Sequence, residues 1–274
     1  MTPPTSQRGS ATVAGIPVRW VTRNHATGDA ARRVALWLPY LGGTKDDVVP
    51  MLERLADAGF FAVSFDPSQH GERSSEPTAQ LQDRMIGAFR REMWPVIGQS
   101  TLDAMWVLDW VTDQHDVSTR DAVAGGLSMG GDICVALAGI DHRVARVAAI
   151  GSTPDWTRPG MRRLDAGAGL IDQGLPSAYG RWLYSQLDPI THLEHFAHGP
   201  TILFESGQDD VHVPVEAAHR FVAALTGHSP AAAANTTVRV TKGLAHIATL
   251  GNPDVIDRCV HWLTKPLSKA ATSA

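Results

Sequence analysis

The sequence predicts an α/β protein built on a mostly parallel central β-sheet with helices on its faces. Short apolar runs rich in β-branched residues alternate with longer segments whose apolar residues recur at helical spacing. Several short runs are apolar at successive positions, as strands buried on both faces require. The 274 residues, 43% of them hydrophobic, suffice for a single domain with a substantial core.

Seven strands and five helices are predicted from these patterns. The strands are 17–22, 34–39, 60–65, 121–125, 144–150, 201–205 and 237–241. The helices are 46–58, 100–112, 129–138, 215–225 and 253–263, each with an apolar face. The first helix stops before Gly59, a residue type that is favourable just past a helix end.

Three segments depart from this alternation. Residues 154–200 have no strand pattern, yet Trp156, Tyr179, Trp182 and Tyr184 punctuate helical fragments, so we expect a helical insert or cap after the strand 144–150. A shorter excursion covers residues 72–98 and contains Trp94. Residues 1–15 are polar and rich in Pro, Ser and Thr, and are predicted to form a flexible tail on a single domain of residues 1–274.

Charge and hydropathy restrict the partners. The net charge is −4, the pI is about 6.3, and no dense Lys/Arg run exists, which argues against nucleic acid or an anionic membrane as partner. The N-terminal residues lack the apolar stretch of a signal peptide, and no run is long enough to span a bilayer. We expect a cytoplasmic protein in which Cys134 and Cys259 are buried free thiols. The sequence does not indicate an oligomeric state.

The main chemical motif is Gly126-Leu127-Ser128-Met129-Gly130. It follows a predicted strand and opens a predicted helix. A serine on such a turn projects its hydroxyl above the sheet, and small flanking residues relieve the crowding. A structural glycine turn would have the same letters, but the strand–turn–helix context favours Ser128 as a nucleophile.

A serine nucleophile needs a base and a group that orients the base. In this context the chain order is serine, acid, histidine. Asp209 and Asp210 both lie on the loop after the strand 201–205, and His246 lies on the loop after the strand 237–241. The oxyanion of an acyl-transfer intermediate also needs N–H donors. One is expected from Met129, and the other from the Gly-rich loop after the strand 34–39.

The motifs together resemble a known family. Residues 41–47, LGGTKDD, stand where it has an HGxxGxKE-like stretch, and residues 66–73, DPSQHGER, are similar to its D-x-x-x-HGER segment. The serine motif, residues 207–214 and His246 then follow in the order found in the family. The chain from about 34 to 263 therefore resembles the prolyl-oligopeptidase-like esterases of the α/β-hydrolase superfamily, particularly small bacterial ones. These 274 residues do not include the propeller domain of the large peptidases, which weakens an inference of peptidase activity.

The resemblance implies an α/β-hydrolase fold, serine hydrolase activity and no cofactor. It assigns the acid to Asp210, with Asp209 as runner-up, and the second oxyanion N–H to Leu41. Pro39 and Tyr40 stand where the family has His-Gly, so Tyr40 is a candidate to project into the pocket. Trp94 and Trp156 are further pocket candidates, although aromatic residues at such positions are as often core.

Other histidines receive different interpretations. His192, His195 and His198 are regularly spaced, but no carboxylate or cysteine pattern completes a zinc signature, so no metal site is expected. His70 is expected to brace the loop beside the site, with Asp66 supporting it.

The sequence therefore predicts a serine hydrolase that cleaves small to medium carboxylic esters through an acyl-enzyme. An amidase or peptidase using the same residues is the alternative. A carbon–carbon or lactone hydrolase is also open, since fold and triad do not fix the substrate. A non-catalytic binding protein is disfavoured because it would not need all three residues.

Overall fold

The structure is a computed structural model that describes residues 6–23, 33–115, 117–164 and 169–265. In these residues eight strands form one sheet in the order β1-β2-β4-β3-β5-β6-β7-β8. Strand β2 runs antiparallel to β1 and β4, and the other neighbours are parallel. The strands are β1 Ser6–Val13, β2 Ile16–Arg23, β3 Arg33–Leu38, β4 Phe61–Phe65, β5 Ser118–Leu127, β6 Val144–Ile150, β7 Thr201–Gly207 and β8 Thr236–Thr241.

Helices cover both faces of the sheet. Alternate residues of β3 enter two separate cores: Leu36 packs with α3 and α4, whereas Trp37 packs with α1 and α9. This arrangement confirms the predicted mostly parallel sheet flanked by helices. The helices are α1 Val49–Asp57, α2 Thr78–Gly87, α3 Phe89–His115, α4 Met129–Ile140, α5 Ala178–Leu187, α6 Glu216–His228, α7 Pro230–Ala234, α8 His246–Leu250 and α9 Pro253–Thr264.

The prediction of a flexible tail over residues 1–15 is wrong where the structure describes it. Residues 6–13 form β1, which pairs with β2 along its whole length. The two strands meet at a turn in which Ala14 and Gly15 both have positive φ, as a type I′ hairpin requires. Strand β1 lies at the edge of the sheet and is largely exposed, so it carries little of the apolar pattern on which strand prediction depends. Residues 1–5 lie outside the described residues.

The shorter excursion is largely helical, whereas the described part of residues 154–200 is helical only from Ala178 onward, so the predicted helical insert is wrong in its first half. The predicted helix 100–112 is the second half of α3, which is 27 residues long and contains Pro95. The described part of 154–200 contains α5 and two short 3₁₀ turns. Helix α5 packs closely on α3, because a Cβ added to Gly98 would lie 2.7 Å from Leu183 Cβ. The aromatic residues of the two segments therefore meet each other.

Two further predictions concern thiols and membranes. Cys134 and Cys259 are buried and free, as expected. The Cys134 thiol donates to the carbonyl of Gly125 at 3.2 Å, and burial raises the pKa of both thiols, which disfavours the thiolate form. Every helix in the described ranges is too short or too polar to cross a lipid bilayer.

Candidate active site

Ser128 occupies a strained turn between β5 and α4. Its φ is 49° and its ψ is −116°, a conformation that side-chain-bearing residues rarely adopt. The turn is tight because a Cβ on Gly126 would lie 2.4 Å from the backbone of Gly130, and one on Gly130 would lie 2.4 Å from the carbonyl oxygen of Leu38. Only glycine fits at both positions, so the spacing of the motif follows from the geometry of the turn.

His246 connects the serine to a carboxylate. It is the first residue of α8, just beyond the edge of the sheet where β8 ends. Its Nε2 lies 3.1 Å from Ser128 Oγ, and its Nδ1 lies 2.7 Å from Asp210 Oδ2. Because a carboxylate only accepts, Nδ1 carries the hydrogen and Nε2 is left to accept the serine proton. All three side chains are buried.

Asp210, rather than Asp209, faces the imidazole. Its second oxygen, Oδ1, accepts hydrogen bonds from the backbone N–H groups of His212 at 3.0 Å and Val213 at 2.8 Å. These bonds fix the carboxylate with Oδ2 toward His246. Asp209 is exposed, and its backbone N–H donates to the carbonyl of Leu244. The structure thus brings Ser128, His246 and Asp210 together and leaves Asp209 outside.

The two expected oxyanion donors flank the serine. Met129 begins α4 directly after it, and Leu41 lies on the loop after β3 and lines the same cavity as Ser128. Within the described residues, no hydrogen bond uses the backbone N–H of Leu41 or Met129. Both N–H groups are therefore available to a ligand, as donors to a developing oxyanion must be.

A buried ion pair, which the sequence analysis missed, anchors the Leu41 loop. Lys45 donates to Asp66 from its backbone N–H at 2.9 Å and from Nζ at 3.1 Å. Asp66 also accepts the N–H of Glu72, and Glu72 accepts from Lys45 Nζ at 2.6 Å. The pair ties the loop that carries Leu41 to the loop after β4. Lys45 and Asp66 both lie in the segments 41–47 and 66–73 that resemble the family, but they are far apart in the chain, so their contact could not be predicted from the sequence.

The prediction that Asp66 supports His70 is therefore wrong. The Asp66 carboxylate holds Lys45 and Glu72, whereas His70 Nδ1 lies 2.8 Å from the carbonyl oxygen of Ser68. His70 is completely buried within its own loop, and burial lowers its pKa. It lies outside the Ser128–His246–Asp210 chain.

A cavity of about 270 Å³ opens over Ser128 and His246. Tyr40 and Leu41 contribute to its wall, as expected for Tyr40. Helix α2 forms a second part, and Arg163 and Leu164 of the insert form a third. Among the described residues, the lining is Tyr40, Leu41, Gln82, Asp83, Ile86, Ser128, Arg163, Leu164, His212, His246, Ile247 and Leu250.

Trp94 and Trp156 are not part of this cavity, and their prediction as pocket residues is wrong. Trp94 is 4% exposed and Trp156 is 0% exposed. The Trp94 indole N–H donates to the carbonyl of Trp156 at 2.9 Å, and its ring stacks on Tyr184 at 4.2 Å. These rings fasten the insert to α3. Trp182, also from the insert, is 56% exposed on the outer surface.

Two polar features beside the site were also missed. His212 lines the cavity, and its ring centroid lies 5.0 Å from that of His246. Arg158 and Asp132 form a buried ion pair behind it, and Asp132 also accepts the N–H of Thr153 at 2.7 Å. Burial, followed by the charges of Arg158 and His246, lowers the pKa of His212 to about 4. The nearness of His212 to Asp210 in sequence is the one signal that could have indicated it.

The regularly spaced histidines do not come together as a set. His192 stacks on His195 at 5.0 Å, whereas His198 stacks on His142 at 4.1 Å. Glu194 lies 3.1 Å from His192 Nδ1, and the potential ligand atoms of His192, Glu194 and His195 lie within 4.8 Å of one another. His192 Nε2 already contacts the carbonyl oxygen of Ser185 at 2.8 Å. The cluster is partly exposed and does not contribute to the cavity.

Solved structures share this fold at low sequence identity. The protein TT1662 from Thermus thermophilus aligns with a TM-score of 0.70 at 21% identity, over 96% of this chain and 100% of its own. The Pyrococcus furiosus esterase Pf2001 aligns with a TM-score of 0.62 at 16% identity, over 95% and 92%. A Mycobacterium tuberculosis puromycin-hydrolyzing peptidase aligns with a TM-score of 0.65 at 16% identity, over 93% and 38%. No curated protein matches the sequence significantly.

The prolyl oligopeptidase family matches residues 87–270, well over half of the chain. This segment contains Ser128, Asp210 and His246, the residues that the structure joins by hydrogen bonds. The chain thus belongs to the prolyl oligopeptidase family and is a serine hydrolase of the α/β-hydrolase type.

Proposed function

We propose that the protein is an esterase that hydrolyses small to medium carboxylic esters. The observation that carries the proposal is the hydrogen-bonded chain from Asp210 through His246 to Ser128. That chain ends on a cavity of about 270 Å³. A space of this size lies near the lower end for small-molecule sites, which typically begin at about 300 Å³.

The geometry supports acyl transfer in two stages. Ser128 Oγ attacks the ester carbonyl while His246 Nε2 takes its proton, and the Asp210 carboxylate stabilises the imidazolium. The tetrahedral intermediate collapses, and His246 returns the proton to the departing alcohol. Water then attacks the acyl-enzyme with His246 as base and releases the acid and Ser128. The N–H groups of Leu41 and Met129 would stabilise the oxyanion in both stages.

An amidase or peptidase is the second candidate, because the family is named for a peptidase and the same residues cleave amides. We favour esters since the cavity is small and its wall includes Leu41, Ile86, Leu164, Ile247 and Leu250. The volume of about 270 Å³ leaves little room for an extended peptide chain. A carbon–carbon or lactone hydrolase would use the same triad and differ only in the fit of its substrate.

The deciding experiment compares an unactivated alkyl ester with its matched amide. Ethyl butyrate and N-ethylbutyramide have the same acyl group and differ in the leaving atom. We expect kcat/KM to be higher for the ester, with Ser128→Ala as the inactive control for both. A higher kcat/KM for the amide would replace the esterase proposal by the amidase one. Labelling of Ser128 by a fluorophosphonate probe separates an enzyme from a binding protein on this fold.

We also propose a cytoplasmic location and a small-molecule ester as the ligand. Both cysteines are buried and free, which suits a reducing compartment. The location can be tested by fractionating cells that express the full chain.

A further inference from the structure

One polar atom in the catalytic cavity has no protein partner. His212 is 6% exposed and lines the cavity beside Ser128 and His246. Its Nδ1 lies 2.8 Å from the carbonyl oxygen of Arg162, and its backbone N–H donates to Asp210 at 3.0 Å. No group in the described ranges hydrogen-bonds its Nε2.

These contacts fix the hydrogen-bonding character of Nε2. A carbonyl oxygen only accepts, so Nδ1 carries the hydrogen and Nε2 presents a lone pair. The low pKa, about 4, keeps the ring neutral at physiological pH. The backbone and Nδ1 bonds hold the ring at two points. His212 therefore presents a preorganised acceptor next to the reacting serine.

We propose that His212 Nε2 accepts a hydrogen bond from a hydroxyl group of the substrate, and that the natural substrates are hydroxy-substituted esters. The inference rests on the proposed esterase function and adds the substrate class. A substrate that fills the cavity displaces water, and a buried acceptor left without a donor is costly. A site built around such an acceptor discriminates against analogues that lack the donor.

A hydroxyl group fits this position better than an ammonium group. The surroundings of His212 disfavour a positive charge on its own ring, through burial and then through the charges of Arg158 and His246. The same surroundings disfavour a cationic donor bound to Nε2. A neutral hydroxyl can donate to Nε2 without bringing a charge into the cavity.

The test measures selectivity between matched substrates in the full-length protein. Ethyl butyrate is compared with ethyl 3-hydroxybutyrate, which has a hydroxyl in the acyl part, and with 2-hydroxyethyl butyrate, which has one in the alcohol part. His212→Asn can retain a donor toward the Arg162 carbonyl but lacks the Nε2 acceptor. His212→Phe removes both, and His219→Asn changes an exposed histidine of α6 as a matched control.

In the wild type we expect a higher kcat/KM for at least one hydroxylated ester. The ratio of hydroxylated to plain ester should fall about 3- to 10-fold in His212→Asn and His212→Phe, and should not change in His219→Asn. Intrinsic differences in ester reactivity cancel when the ratio is compared between variants. Fluorophosphonate labelling counts intact active sites, so a variant with damaged folding is recognised.

Two results would overturn the proposal. One is a ratio that does not change on replacing His212. The other is an equal fall in kcat on all esters with accumulation of the acyl-enzyme, which would assign His212 to the attacking water instead. The same hydroxylated pairs are measured as amides. If only amides are cleaved, the esterase proposal fails while the role of His212 is still decided by the ratio.

Discussion

Replacing Asp210 by Asn removes the charge of the acid and almost nothing else. In the native protein Oδ1 accepts two backbone N–H groups, from His212 and Val213, and Oδ2 faces His246 Nδ1 at 2.7 Å. An asparagine must keep its oxygen toward the two N–H donors, so its NH₂ group is directed at Nδ1. His246 then carries its hydrogen on Nε2 and cannot accept the proton of Ser128.

The expected loss in kcat is about 10⁴-fold, or roughly 5.5 kcal/mol, because the wrong imidazole tautomer is enforced. The matched control is Asp209→Asn, an exposed neighbour, for which we expect a change of less than about 3-fold. The assay is kcat on a p-nitrophenyl ester, normalised to the fraction of fluorophosphonate-reactive enzyme. If Asp210→Asn retained a tenth of the activity, or if Asp209→Asn were the more damaging change, the reasoning would be refuted.

Three further perturbations test the site and its support. Ser128→Ala should lower kcat by about 10⁶-fold. Ser128→Gly should be equally inactive, but its free energy of unfolding should be about 1 kcal/mol larger than that of the alanine variant, because φ at this position is 49°. Equal denaturant midpoints for the two variants would argue against backbone strain. Gly130→Ala should destabilise by about 1–3 kcal/mol, since the new Cβ would lie 2.4 Å from Leu38 O. The control Gly227→Ala, in α6 with open space around it, should not destabilise. Burial raises the pKa of Asp188 to about 7, so the folded protein holds a proton that the unfolded chain releases above about pH 4. The free energy of unfolding should fall as pH rises from about 4 to 7, by at most about 4 kcal/mol, and Asp188→Asn should reduce this dependence on pH. The same pH dependence in the wild type and in Asp188→Asn would contradict the prediction.

The sequence predicted most of the sheet because central strands carry a strong signal. Strands β3, β4 and β6 are buried at nearly every position and mostly apolar, and Val144–Ile150 was predicted to the residue. Strand β1 was missed because an exposed edge strand of Ser, Thr and Arg has no such pattern. Its pairing with β2, which was predicted as the strand 17–22, becomes visible only in the hairpin, where Gly9 lies under the Trp20 ring.

The catalytic residues could be predicted because each occupies a fixed place after a strand. The strand, turn and helix around Ser128 are local features of the sequence, whereas Asp210 is distinguished from its neighbour Asp209 only by the family resemblance. Pocket residues depend on which segments meet in space, and Trp94 turned toward Tyr184 and away from the serine. His212 was missed for a related reason: its role follows from the contact with Arg162, fifty residues away in sequence.

One side of the cavity comes from a part of the chain that precedes its reactive side chains. Ser128, Asp210 and His246 lie within residues 87–270, the segment shared with the family. Tyr40, Leu41 and the contributing face of α2 precede that segment, yet they form one side of the cavity. We therefore expect substitutions at Tyr40 or on the cavity face of α2 to change substrate choice while Ser128, Asp210 and His246 stay in place.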